Sequence, residues 1–170
     1  MLKEFKIIEF LAATVASIFT ITPVSAASFS LPARRAELPV KDILVQNTGA
    51  EEVFQQGLTF SAQQNMAAAE GAFRRAIEIN PNFAEAYANL GSILANQNKL
   101  AEAIPYFDNA IRIKPDVPEF YYMKGQVLYA QNKMADAVES VKRARDLFRK
   151  QGKTQEANTL EQVLKDMGSR

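Results

Sequence analysis

The apolar positions of this chain fall into short stretches of helical period, separated by polar residues, and the whole pattern repeats. In residues 84–117 the first stretch is carried by Tyr87, Leu90 and Leu94, and the second by Ala103, Phe107, Ala110 and Ile111. Equivalent stretches occupy 50–83 and 118–151. Each block therefore predicts two helices. Beyond the third block, Gly152 is followed by Thr154, which can cap a helix, and by one apolar stripe of Ala157, Leu160, Val163 and Leu164. A stack of helix pairs exposes the apolar side of its last member, and this final helix is expected to cover it. The prediction is all-α: seven helices in one curved solenoid, with residues 152–170 as capping helix and tail.

The interval between blocks is 34 residues. Gly57, Gly91 and Gly125 recur at that spacing. So do Ala69, Ala103 and Ala137, and Ala76, Ala110 and Ala144. Phe73 and Phe107 repeat with Val141 in third place, and Pro81 and Pro115 repeat with Arg149 where a third proline would stand. Gly91 and Ala103 put no bulk at a helix crossing, so two helices can approach closely there. Phe107 then supplies the volume that packs beneath the next repeat.

This pattern resembles the tetratricopeptide repeat, a pair of antiparallel helices with small residues at fixed positions. The second block matches best, through Tyr87, Leu90, Gly91, Leu94, Ala103, Phe107, Ala110 and Pro115. The first departs at Val53 and Gln56, the third at Lys124 and Arg149. The resemblance covers 50–151 and implies a right-handed α-solenoid of three helix-pair repeats.

Local signals place the helix ends. Thr48-x-x-Glu51, Asn82-x-x-Glu85 and Asp116-x-x-Glu119 read as capping boxes that open the first helix of each pair. Asn98-Lys99 and Asn132-Lys133 read as the turns within pairs, since Asn tolerates the left-handed conformation that ends a helix. Pro105 lies just past the first turn of its helix and predicts a slight bend.

The N-terminus differs from the rest. Lys3 and Lys6 precede an apolar run from Phe10 to Thr22, then Pro23 and the small-x-small sequence Val24-Ser25-Ala26. This reads as a secretory signal over residues 1–26, with cleavage after Ala26. The run of 13 residues between Glu9 and Pro23 falls short of the about 20 that a membrane-spanning helix needs, although an uncleaved anchor is the alternative. No Arg-Arg pair precedes the run, which favours the general secretory route. The expected location is the periplasm or, in a photosynthetic host, the thylakoid lumen. Residues 27–47, with Pro32 and Pro39, read as a mobile tether ahead of the repeats at 48–151.

Composition narrows the chemistry. The 170 residues contain neither Cys nor His, which excludes disulfides, thiol catalysis, Cys/His metal sites and His-based triads. A net charge of +1 argues against nucleic acid as the main partner. No nucleophile–base pair, phosphate loop or calcium loop is recognisable. Glu51-Glu52 suits a helix N-terminus. No enzyme, cofactor or metal is expected.

The resemblance implies a binding surface instead, because in this family the first helix of each repeat lines a concave face. Carried over, those positions are Glu51, Phe54, Gln55, Leu58, Ser61 and Ala62 in the first block, and Glu85, Ala88, Asn89, Ser92, Ala95 and Asn96 in the second. The third contributes Glu119, Tyr122, Met123, Gln126, Tyr129 and Ala130. The middle is small and polar, and Asn side chains there can bond both N–H and C=O of a peptide. The flanks carry Phe54 and Leu58 on one side, Tyr122, Met123 and Tyr129 on the other, residue types suited to interface anchors. Phe54 and Tyr122 read equally well as core residues.

One subtype of the family grips C-terminal carboxylates with Lys, Arg and Asn. At the corresponding places this chain has Phe54, Leu58, Glu119 and Met123, and only Asn89 remains, so that clamp is not expected. A basic stripe at 142–153, with Lys142, Arg145, Arg149 and Lys153 on one helical face, reads first as a solvated surface. An acidic protein or an anionic membrane is its alternative partner. The functional expectation is an exported protein-interaction module, an adaptor or assembly factor; a self-assembling structural module is the second reading. One consequence is direct: Gly91→Leu should overpack the helix crossing and lower stability by about 1–3 kcal/mol in a denaturant melt.

Overall fold

In a computed structural model of the chain, the backbone is described from Val40 to Gly168 and side chains from Gly49 onward. The expected signal segment 1–26 and most of the expected tether lie outside the described residues. Seven helices follow one another: α1 (Val40–Ala62), α2 (Met66–Ile79), α3 (Ala84–Asn96), α4 (Leu100–Ile113), α5 (Pro118–Ala130), α6 (Met134–Lys150) and α7 (Thr154–Gly168). Each packs on the next, and α3 also touches α5 directly. The architecture is an α-solenoid of three helix pairs and a terminal helix.

Within each pair the helices meet at a glycine. A methyl group added at Gly57 would stand 2.6 Å from the Phe73 ring, and one at Gly91 would stand 3.0 Å from the Phe107 ring. At Gly125 it would meet Val141 at 2.8 Å. Phe73 and Phe107 are fully buried, as are Ala69, Ala76, Ala103, Ala110, Ala137 and Ala144. Burying a Phe side chain contributes about 1.5–3 kcal/mol, and here the absent Cβ is what admits the ring.

The turns within pairs obey one rule. Gln64, Asn98 and Asn132 have φ of 60°, 61° and 60°, and Gly152, between α6 and α7, has φ of 75°. After each, an N–H reaches back five residues: Asn65 to Phe60, Lys99 to Leu94, Lys133 to Leu128 and Lys153 to Phe148, each at 2.9 Å. These are left-handed helix stops that satisfy the last carbonyls. Asn98 and Asn132 behave as expected.

The helix starts do not follow the expected capping boxes. The N-caps of α3 and α5 are Phe83 and Val117, with no side-chain cap bond. Asn80 organises the first of these turns, accepting the Asn82 N–H on its side chain at 3.0 Å and the Phe83 N–H on its carbonyl at 3.1 Å. The Phe83 ring packs 4.7 Å from that of Phe54. Pro118 occupies the first turn of α5 and forces Val117 toward extended backbone, displacing Asp116 from the cap. Thr48 is no cap either, since α1 begins at Val40. Between Pro39 and the Gln64 turn there is no proline, and the two glycines, Gly49 and Gly57, cost only about 1 kcal/mol each. The eight residues 40–47, read as tether, are thus helical, and α1 has 23 residues against 13 in α3.

Pro81 and Pro115 follow the ends of α2 and α4, which have 14 residues each. Arg149 stands in the third place, and α6 runs on to 17 residues. α4 continues through Pro105.

Gln64 holds the left-handed position without the tolerance of Asn or Gly. Gln64→Gly should therefore raise stability by about 0.5–1 kcal/mol, read as a higher midpoint with unchanged denaturant slope.

Candidate functional site

The inner face is built on α3 and α5, with α1 before them. Ser92 donates to the Ala88 carbonyl at 2.9 Å, and its oxygen stands 3.8 Å from the Met123 sulfur, which joins the two helices. Asn89 gives one amide proton to the Glu85 carbonyl at 2.8 Å. Among the described residues its other N–H and its carbonyl oxygen have no further bond. Tyr122 hydrogen-bonds with Gln126; burial raises its phenol above the ordinary value, and that bond opposes the shift. Asn89, Ser92, Tyr122, Met123, Gln126, Tyr129 and Leu58 are half-buried, and Asn96 is exposed at the end of α3. The half-buried state leaves each an accessible part while its stem is fixed by packing.

Phe54 does not belong to this surface. It is 1% exposed and sits between Phe73, 5.4 Å away by ring centroid, and Phe83. Its ring links the first repeat to the second, so the face has no aromatic anchor at that place. Ala88 is likewise buried, against Ala84, Ala110 and Phe120. Tyr122 and Met123 have both roles: Tyr122 packs on the cluster formed by α6 and α7, and Met123 packs on the core between repeats.

The acidic positions of the face are engaged. Glu85 pairs with Lys114, and Glu119 pairs with Lys153 at 3.6 Å. Glu51 accepts a hydrogen bond from Gln55 at 2.9 Å. These pairs leave the middle of the inner face close to neutral. The basic stripe also has internal partners. Arg145 and Arg149 both reach Glu161, at 3.0 and 3.1 Å, and Arg145 also pairs with Asp146. Arg145 and Arg149 thus fasten α7 onto α6. Lys142, Arg143 and Lys150 remain exposed.

These repeated helix pairs, two closed by a ring on a glycine and the third by Val141 on Gly125, define a helical-repeat solenoid. The tetratricopeptide repeat family model matches residues 54–118 and 97–151, more than half of the chain, and the chain belongs to that family. No curated protein matches it. Among solved structures, it is similar to the TPR2B domain of yeast Sti1 in its pHsp70 complex, with a TM-score of 0.66 and 24% identity over 71% of this chain and 96% of that one. It is also similar to the type III secretion translocator chaperone SycD of Yersinia enterocolitica, at a TM-score of 0.65 and 13% identity over 69% of this chain and 82% of that one. A third is the first TPR of Spaghetti (RPAP3) bound to HSP90 peptide SRMEEVD, at a TM-score of 0.59 and 18% identity over 69% and 94%. At these identities the likeness is one of fold.

One junction between repeats carries a pH dependence. Hydrogen bonds from Arg74 and then Gln97 hold the Glu70 carboxyl below its ordinary range, against opposing desolvation. A lowered folded-state value means that the contribution is present above the ordinary carboxylate pKa and is lost as pH falls through the folded value. Glu70→Gln should therefore flatten the acid side of the stability–pH curve while leaving its slope near neutrality unchanged, as read by melts in graded buffers.

Proposed function

We propose that this chain is a protein-interaction module that holds a segment of another protein along the inner face of α3 and α5, and that it works as an adaptor or assembly factor outside the cytoplasm. The observation that carries this reading is Asn89. It is half-buried in the middle of the face, pinned by one bond to Glu85, and keeps a donor and an acceptor that no group among the described residues takes up. A peptide backbone offers the complementary pair. Met123, Tyr122 and Gln126 lie on the neighbouring helix and supply the apolar and amphipathic contacts that such a backbone needs. The Sti1 and Spaghetti (RPAP3) domains, which share the fold, are known in complex with pHsp70 and an HSP90 peptide respectively.

The segment bound here differs in kind. With Phe54 in the core, Glu119 paired to Lys153 and Met123 where a cation would be required, the face has no set of cations for a C-terminal carboxylate. An uncharged segment fits the neutral face. A catalytic role has no support from the side chains of this surface.

The export part of the proposal rests on residues 1–26. Lys3 and Lys6, the apolar run to Thr22 and Val24-Ser25-Ala26 are the parts of a cleavable signal. The periplasm, or the thylakoid lumen in a photosynthetic host, is the proposed compartment.

Two measurements test the proposal. A photo-cross-linking residue at Gln126, on the inner face, should capture one discrete partner in the producing cell, and the same residue at Arg75 should not. Asn89→Ala combined with Tyr122→Ala should lower the yield. Equal capture from both sites, or an unchanged yield, would remove the groove. Mass analysis of the chain recovered from its compartment should give an N-terminus at Ala27; an intact Met1 in the cytoplasm would remove the export reading.

A further inference from the structure

The two junctions between repeats are built on the same positions and filled differently on the outer face. At the first, Tyr87 and Tyr106 pair their rings at 6.4 Å, Arg74 donates to the Tyr106 phenol oxygen at 3.2 Å, and Gln97 donates to Glu70 at 3.0 Å. Thirty-four residues later the corresponding side chains are Tyr121, Ser140, Asp108 and Ile104. Tyr121 keeps the place of Tyr87, with its phenol donating to the Pro115 carbonyl at 3.1 Å. Its ring partner is gone, because Ser140 stands where Tyr106 stands in the first junction. Asp108 has turned to Lys124 at 2.6 Å.

The result is an open depression of about 710 Å³ between α4, α5 and α6. Ile104, Leu128 and Tyr121 give it an apolar lining, and Ser140 borders it. The Arg143 guanidinium lies 5.9 Å from the centroid of the Tyr121 ring. The second junction thus has one aromatic ring and a guanidinium, as around Tyr106, with Ile104 in the place of the Glu70 carboxylate and the guanidinium supplied by Arg143 in the absence of an arginine at 108. Lys133 and Lys142 reach the rim, as do Asp136 and Glu139. Charge there is mixed, so it is the shape and the aromatic lining that select the occupant.

We propose that this outer depression is a second docking site, and that it takes a tyrosine side chain presented by a partner protein. The incoming ring lies against Tyr121 over Ile104 and Leu128, as Tyr106 lies against Tyr87, and the phenol oxygen accepts a hydrogen bond from Arg143 in the manner of the Arg74–Tyr106 pair. The site is independent of the inner face. A partner that uses both surfaces is held by two contacts on opposite sides of one repeat junction, which raises avidity without enlarging either contact.

The test uses the full chain and a simple probe. N-acetyl-L-tyrosinamide is titrated against the ¹⁵N-labelled protein, with N-acetyl-L-alaninamide as control. The expected result is a saturable shift of the Ile104, Leu128 and Ser140 amides with the tyrosine probe and none with the alanine probe. Ser140→Tyr, which rebuilds the first junction from within, should abolish the shift. Because that new ring has the option of turning to solvent, Tyr121→Ala, which removes the ring the probe lies against, provides a second loss. No saturable shift at these amides, shifts that persist in both variants, or shifts centred instead on Ser92 and Gln126 would overturn the proposal.

Discussion

The solenoid depends on an aromatic ring lying on a glycine. In the first two repeats Phe73 and Phe107 occupy the space that a Cβ at Gly57 or Gly91 would need. The contact brings the two helices of a pair close enough for Ala69, Ala76, Ala103 and Ala110 to be fully buried between elements. Small residues and large ones are therefore not independent choices. A larger residue at the glycine would push out the ring, and a smaller residue at the ring would open a cavity beneath the next repeat. The third pair shows how much latitude exists: Val141 replaces the ring, and Gly125 is still needed, with the Ala137 carbonyl 3.3 Å from the missing Cβ.

The same constraint explains why the fold was legible from residues alone. A residue forced by backbone approach has few substitutes, so it recurs at 34 with little noise, and three glycines with two sets of three alanines fix the phase. The left-handed stops at Asn98 and Asn132 were legible for the same reason, as a backbone requirement that few side chains meet. Gln64 occupies the same conformation unannounced, and only the period locates it.

Helix starts were less legible because several solutions satisfy them. The three Glu residues at the second position of each block suggested capping boxes, yet two of them answer to lysines from the following segment, Lys114 and Lys153. A side chain that can bond locally or at a distance gives an ambiguous sequence signal. The start of α1 shows the other limit. No residue between Pro39 and Gln64 forbids a helix, so the segment 40–47 joins it. The inner face suffers from a third difficulty, since its positions are adjacent to the core by construction. Phe54 shares a repeat position with Ala88 and Tyr122, and whether such a residue faces a partner or a neighbour depends on Phe83, the residue that leads into the next helix pair.

The departures from the repeat pattern follow from position in the stack. Gln56, in the first pair, is exposed. Lys124, at the equivalent place, meets the preceding helix pair and answers Asp108. Arg149, replacing the proline that ends α2 and α4 on schedule, lets α6 extend and reach Glu161 of α7. A repeat protein keeps its period where helices of one pair touch and spends its freedom where pairs meet each other or the solvent. The junctions are the place to look for properties peculiar to this chain. The first is closed by its own tyrosine, arginine and glutamate. The second, built on the same backbone, leaves Tyr121 without a ring partner, and nothing in the packing of the glycine contacts required that difference.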